Sequence, residues 1–193
     1  MPTFDPVAFD PIAFIKSRRS MGNLTAPAPT SAQLIEAIEV AMTAPDHKDL
    51  NPYRFIVLEN QGLKKLGEAL KQAAIAQGET DAVTLAKTER MPNRAPMIIA
   101  CVTHYQSHDK VPEFEQLLAA GAAVENLLLA LHAQGFASVW RSGLLANTPE
   151  VKTFFKLSAD NQVVAFVYVG TAGAPLPPRA KIDVTPFIVY DNA

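Results

Sequence analysis

PEFEQLLAAGAAVENLLLALHAQ, residues 112–134, decides how this 193-residue chain folds. From Leu117 onward the stretch is apolar on almost every side, with Ala119, Ala120, Gly121, Ala122 and Ala123 in a row. A helix without a polar face has to be covered all round. A chain this short has little material for that, so the pattern predicts that a second copy supplies part of the cover. A spanning helix needs about 20 mostly apolar residues, and Glu125, Asn126 and His132 interrupt this one. It reads as a core helix closed by Gly135.

Outward from this helix, short apolar runs at 55–58, 97–102, 138–141 and 162–169 predict strands. Helices are expected at 9–18, 62–78 and 81–90. A further one starts at Thr30, where Gln33 completes a capping box, and continues with Leu34, Ile38, Ala41 and Met42 on one stripe. Thr148-Pro149 predicts a capped start with proline in the first turn for a helix to about Lys156. Residues 22–29 read as a connector. The tail at 173–186 is rich in proline and ends in Phe187-Ile188-Val189-Tyr190, which suits contact with a second subunit. No linker or repeat divides residues 1–193, so a single domain is expected.

Composition narrows the function. Hydrophobic residues make up 49 % and the formal net charge is -2, so neither nucleic acid nor an anionic membrane is an expected partner. The first twenty residues do not form a signal peptide, and a cytoplasmic protein is expected. Cys101 lies inside an apolar run and reads as a core residue. His104 and His108 fall at a strand end and in a loop, and no cluster completes a metal site. His132 reads as a core or interface histidine. Gly-x-Gly-x-x-Gly, P-loop and Gly-x-Ser-x-Gly patterns are absent.

Three polar segments remain, each at the end of an apolar element. Ser17-Arg18-Arg19-Ser20 follows the first helix, and Trp140-Arg141-Ser142-Gly143 ends a strand. Ala44 to Phe55 is a proline-bracketed loop holding His47. That loop reads equally as a solvated connection or as a stiff frame for binding groups. Arg beside Ser suits a phosphate and a polyol chain, because the guanidinium fork matches phosphate oxygens.

Together with Lys110-Val111-Pro112 before Glu115-Gln116, with Ala133-Gln134-Gly135-Phe136 and with Val169-Gly170-Thr171, these segments resemble the nitroreductase family, in its short YdjA-type subgroup, over about residues 10–190. The resemblance implies an α+β fold of three layers, with a central mixed or antiparallel sheet flanked by helices. It also implies an intertwined homodimer with FMN at each interface. The implied activity is NAD(P)H-driven reduction of a nitroaromatic, a quinone or a similar small molecule by a ping-pong mechanism. By the same resemblance, Arg18, Arg19 and Ser20 match phosphate and ribityl contacts, and Thr43 and His47 match positions flanking the flavin. Trp140, Arg141 and Ser142 match the segment along the ring and phosphate, and residues near Gln134 a nicotinamide region. Many members carry a basic residue where this chain has Gly22, and Asp46-His47 and Asn51-Pro52-Tyr53 also depart from the usual pattern. Arg179 or Lys181 is a further candidate for the phosphate. The same residues also allow a flavin-sequestering protein or a flavin-processing enzyme.

Overall fold

Asp10 sets where the first helix begins. Its Oδ1 accepts from the backbone N–H groups of Ile12 and Ala13 at 2.9 and 3.0 Å, and Pro11 takes the first helical position, whose N–H has no partner to lose. The computed structural model describes residues 10–174 and 179–191. Phe9, where the helical pattern began, and part of the proline-rich tail lie outside the described residues. Helix α1 spans Pro11–Ser17. It is shorter than the pattern at 9–18 suggested, because a capping residue stands outside its helix.

The other helices follow local chemistry. Thr30 and Gln33 form the expected box, with Thr30 N donating to Gln33 Oε1 at 3.0 Å, and α2 covers Ser31–Ala41. Helix α3 covers Gln61–Ala76 and buries Leu63, Leu66, Leu70 and Ala73. Asp81 caps α4, Ala82–Glu89. Helix α5 is the long one, Glu113–Ala133, and Gly135 ends it at φ +83°. Helix α6 spans Pro149–Phe154. Its expected side-chain cap does not form, because the Thr148 hydroxyl donates to Leu145 O at 3.0 Å instead.

Five strands make one sheet: β1 Leu24–Thr25, β2 Tyr53–Glu59, β3 Met97–Thr103, β4 Ala137–Arg141 and β5 Val163–Ala172. Strand β5 pairs with β3 on one side and with β4, then β1, on the other, while β2 lies beyond β3. All of these pairings are antiparallel. Strand β1 corrects the reading of 22–29 as a plain connector. A strand of two residues is too short to show alternation.

Every residue of β3 is buried, so the sheet is covered on both faces. Met97, Ile99 and Cys101 point toward α2 and α5, and Ile98, Ala100 and Val102 toward α3 and α6. Between Cys101 and Val102 the β5 register slips by one residue. The bulge leaves Val163 with Val102 in one core and Ala165 with Cys101 in the other. The fold is therefore α+β in three layers, as expected. Burial pushes the Cys101 thiol up to about 12, as befits a core residue. By length and composition α5 could cross a membrane, but it packs instead between α2 and the sheet.

Helix α5 is covered on only part of its circumference. Leu127, Leu131 and Ala123 are buried, whereas Phe114 is 62 % and Leu118 is 67 % exposed. The described end of the tail is also uncovered, with Phe187, Val189 and Tyr190 exposed.

Candidate active site

The last turn of α1 is clamped onto α5. The Ser17 hydroxyl donates to Phe14 O at 2.6 Å and lies 2.8 Å from His132 Nε2. With its proton committed to Phe14, the hydroxyl accepts from His132 Nε2–H. Phe14 stacks on the same imidazole at a centroid distance of 4.9 Å. Burial, helped by the charge of Arg18, holds the His132 pKa below its ordinary value. The unfolded chain therefore binds a proton that the folded chain resists, and stability falls as pH drops below about 6.5. His132→Gln is expected to make that fall shallower, read as urea midpoints at about pH 7.5 and 5.5. An unchanged slope would mean that His132 does not titrate differently on folding.

This clamp positions Arg18. Its Nε lies 3.5 Å from Glu125 Oε1, and its carbonyl accepts from Arg179 Nη2 at 2.8 Å. Arg18 Nη1 is buried and has no partner among the described residues. Arg179, expected near the phosphate, thus reaches the first segment through Arg18's backbone. Arg19 is half-buried and Ser20 exposed. Ser20 bridges Ser138 of β4 in parallel, and Met21 N donates to Ser138 O at 2.9 Å. The first and third polar segments are therefore neighbours at the sheet edge.

Adjacent residues on a strand face opposite ways. Trp140 turns toward α5, where its ring stands beside Gly121; its Nε1 donates to Val164 O at 3.2 Å, and the residue stays 37 % exposed. Arg141 turns to the other face, with its guanidinium 5.5 Å from the Tyr168 ring centroid, a cation–π distance. Its Nε is buried and unpartnered among the described residues. A Cβ at position 22 would fall 2.9 Å from Arg141 Nη2, so the missing side chain of Gly22 is space that Arg141 uses. Ser142 is exposed. The loop after it is tied to β5 by the Asn147 amide, which accepts from Val163 N at 2.7 Å and donates to Val163 O at 3.1 Å.

The second segment lies farther along α5. The Thr43 hydroxyl donates to Val40 O at 2.8 Å and accepts from Asn126 Nδ2 at 3.3 Å. Asp46 Oδ2 accepts from Asn51 N at 2.6 Å and closes the loop, a role suited to Asp in turns. His47 Nδ1 lies 3.0 Å from Glu115 Oε2. Glu115 and Glu125 are ten residues apart on one helix, or about 15 Å along its axis. Within one chain, His47 therefore stands well away from Arg18.

Sequence reading did not single out Glu115, Tyr168 or Asn147 as parts of the site. Glu125 and Asn126 were visible as interruptions of an apolar helix, and each proves to hold a polar segment.

The family described as nitroreductase matches residues 15–171. The provisionally named NAD(P)H nitroreductase YdjA of Escherichia coli (strain K12) is 38 % identical over 182 residues, covering 94 % of this chain and 99 % of the relative. Among solved structures, the nitroreductase-like family protein from Bacillus cereus superposes with a TM-score of 0.82 at 22 % identity, covering both chains completely. A mutant form of the FMN and NADPH-dependent nitroreductase NfnB of sphigopyxis sp. strain HMH superposes at 0.74 with 17 % identity, over 95 % of this chain and 100 % of its own. Fold, motif order and full-length identity agree, and the chain belongs to the nitroreductase family.

Proposed function

We propose that the chain is an FMN-dependent oxidoreductase that uses NAD(P)H to reduce nitroaromatic, quinone or similar acceptors, working as a homodimer with FMN at the subunit interface. The observation that carries this reading is the pair of guanidinium groups of Arg18 and Arg141. Each keeps a buried nitrogen without a partner among the described residues, on segments joined through the Ser20–Ser138 bridge. An unsatisfied buried donor costs about 1–3 kcal/mol, more when charged. A phosphate dianion within reach of either nitrogen removes that cost.

The other residues fit the same ligand. Arg19 adds charge near the phosphate, and the Ser20 and Ser142 hydroxyls suit a ribityl chain. Trp140 offers a partly exposed aromatic wall. His47 is too far along α5 from Arg18 to serve the same site from the same chain, so on this reading it flanks the flavin of the second chain, whereas Thr43 is held by Asn126, next in sequence to the Glu125 that holds Arg18. When bound, FMN supplies the two-electron chemistry that links NAD(P)H to the acceptor. The protein grips it, orients it and keeps water from one face. The similarity to NfnB, described as FMN and NADPH-dependent, supports the cofactor assignment. A cytoplasmic setting, where NAD(P)H is available, suits the reaction.

Purified protein is expected to be yellow and to bleach on adding NAD(P)H under nitrogen. Hydride transfer to and from a flavin takes place face to face on its ring, so donor and acceptor should use the site in turn. Double-reciprocal plots are then parallel, the sign of ping-pong kinetics. Intersecting lines would argue for simultaneous binding. Colourless protein that takes up no added FMN would defeat the whole reading.

A further inference from the structure

His47 and Glu115 stand together at a cleft of about 530 Å3 with Nδ1 and Oε2 3.0 Å apart. Leu118, Ala119 and Ala122 give the cleft an apolar wall. Asp46 also lines it, but its Oδ2 already accepts from Asn51 N at 2.6 Å. Glu115 is thus the carboxylate that serves the imidazole.

A carboxylate only accepts, so the contact is Nδ1–H donating to Glu115. This holds whether the ring is neutral or charged. The proton that comes and goes is therefore the one on Nε2, because the bond made by one ring nitrogen decides the state of the other. Glu115 is held in place by its neighbour. Gln116 is 1 % exposed, and its Nε2 donates to Gln106 O at 2.8 Å and to Val111 O at 3.1 Å. The first turn of α5 is thereby pinned under the 104–111 loop, and Glu115 with it.

Resting on the flavoenzyme reading above, the geometry points to His47 as the acid that hands its Nε2 proton to the acceptor, with Glu115 as its positioning residue. The balance is simple. A quinone takes the two electrons and one proton of a hydride that originates in NAD(P)H, plus one proton from His47, and leaves as the hydroquinone beside NAD(P)+. A nitro group by the same count breaks one N–O bond and leaves as the nitroso compound and water. His47 regains its proton from solvent once the product has left.

Nitrogen-15 NMR of the protein tests the pairing without any turnover. Neutral His47 is expected as the Nδ1–H tautomer in the parent chain and in Glu115→Gln, whose amide oxygen still accepts. It should shift toward Nε2–H in Glu115→Ala. In FMN-loaded protein, stopped-flow reoxidation by a quinone should slow about a hundredfold in His47→Ala. In Glu115→Ala it should slow about tenfold, as for orienting partners at other histidine sites, and recover largely in Glu115→Gln. An unmoved tautomer in Glu115→Ala, or equal reoxidation in all variants, overturns this assignment while leaving the flavoenzyme reading intact. FMN-loaded parent protein that NAD(P)H fails to bleach overturns both.

Discussion

Leu118→Glu is expected to split the protein into monomers. The parent chain should scatter light at micromolar concentration with twice the mass of 20.9 kDa, and the variant with that mass alone. Leu118 is 67 % exposed on the uncovered face of α5, between Leu117 and the small residues Gly121 and Ala122. An obligate interface commonly buries upward of ~2,000 Å2, and Phe114 and Leu118 are the large apolar side chains that α5 exposes. Burying a carboxylate without a partner costs about 3–5 kcal/mol, and twofold symmetry applies the cost twice. At 1.4 kcal/mol per factor of ten, the dissociation constant rises by at least about a hundredfold. Val83→Glu, on the outer side of α4 where Val83 is 74 % exposed, should leave the mass unchanged. A parent chain that is monomeric yet retains FMN would rule out a site shared between subunits.

Arg18→Ala and Arg141→Ala should each weaken FMN about ten- to hundredfold and riboflavin far less. On the proposed reading the lost contact is to phosphate, and hydrogen bonds to charged groups are worth about 1.5–3 kcal/mol. The two substitutions differ in their side effects. Arg18→Ala also frees Glu125, leaving its carboxylate without the guanidinium it faces. Arg141→Ala removes the contact with Tyr168 and opens the space beside Gly22. Arg18→Ala is therefore the harsher change for a dianion. Titration of apo-protein with both ligands, followed by flavin fluorescence, separates phosphate contacts from general damage. Equal losses for FMN and riboflavin would remove both Arg residues from the phosphate site.

The parts of the site differ in how far they could be read in advance. Arg18, Arg19 and Ser20, and likewise Trp140, Arg141 and Ser142, stand out as Arg–Ser pairs at element ends, and the bridge at Ser138 brings the two sets together. The sense in which Trp140 and Arg141 part to opposite faces depends on how β4 registers against β5. Gly22 looked like a lost basic residue and proves to be clearance for the Arg141 guanidinium. Glu115 stood out only within a segment that carried the family resemblance, and nothing local marked its role. A carboxylate in the first turn of a helix is ordinary, and its meaning comes from a histidine 68 positions earlier.

By itself the sequence determined the kinds of element, most of the core and the family. These rest on interactions within a few residues of one another: the Thr30–Gln33 box, the leucine stripe of α3, the apolar run through Cys101. The tertiary structure alone decided what α5 is for. Four polar groups along it hold two segments of the site, Glu125 and His132 the one at Ser17–Arg18, and Glu115 and Asn126 the one at Thr43–His47. Two-residue β1 and the bulge that sorts β5 between two cores were likewise decided there. The physical reason is the same in each case. Register and side-chain pairing between distant segments are settled by which packing fills both faces of the sheet, and such long-range contacts leave no local trace in the chain.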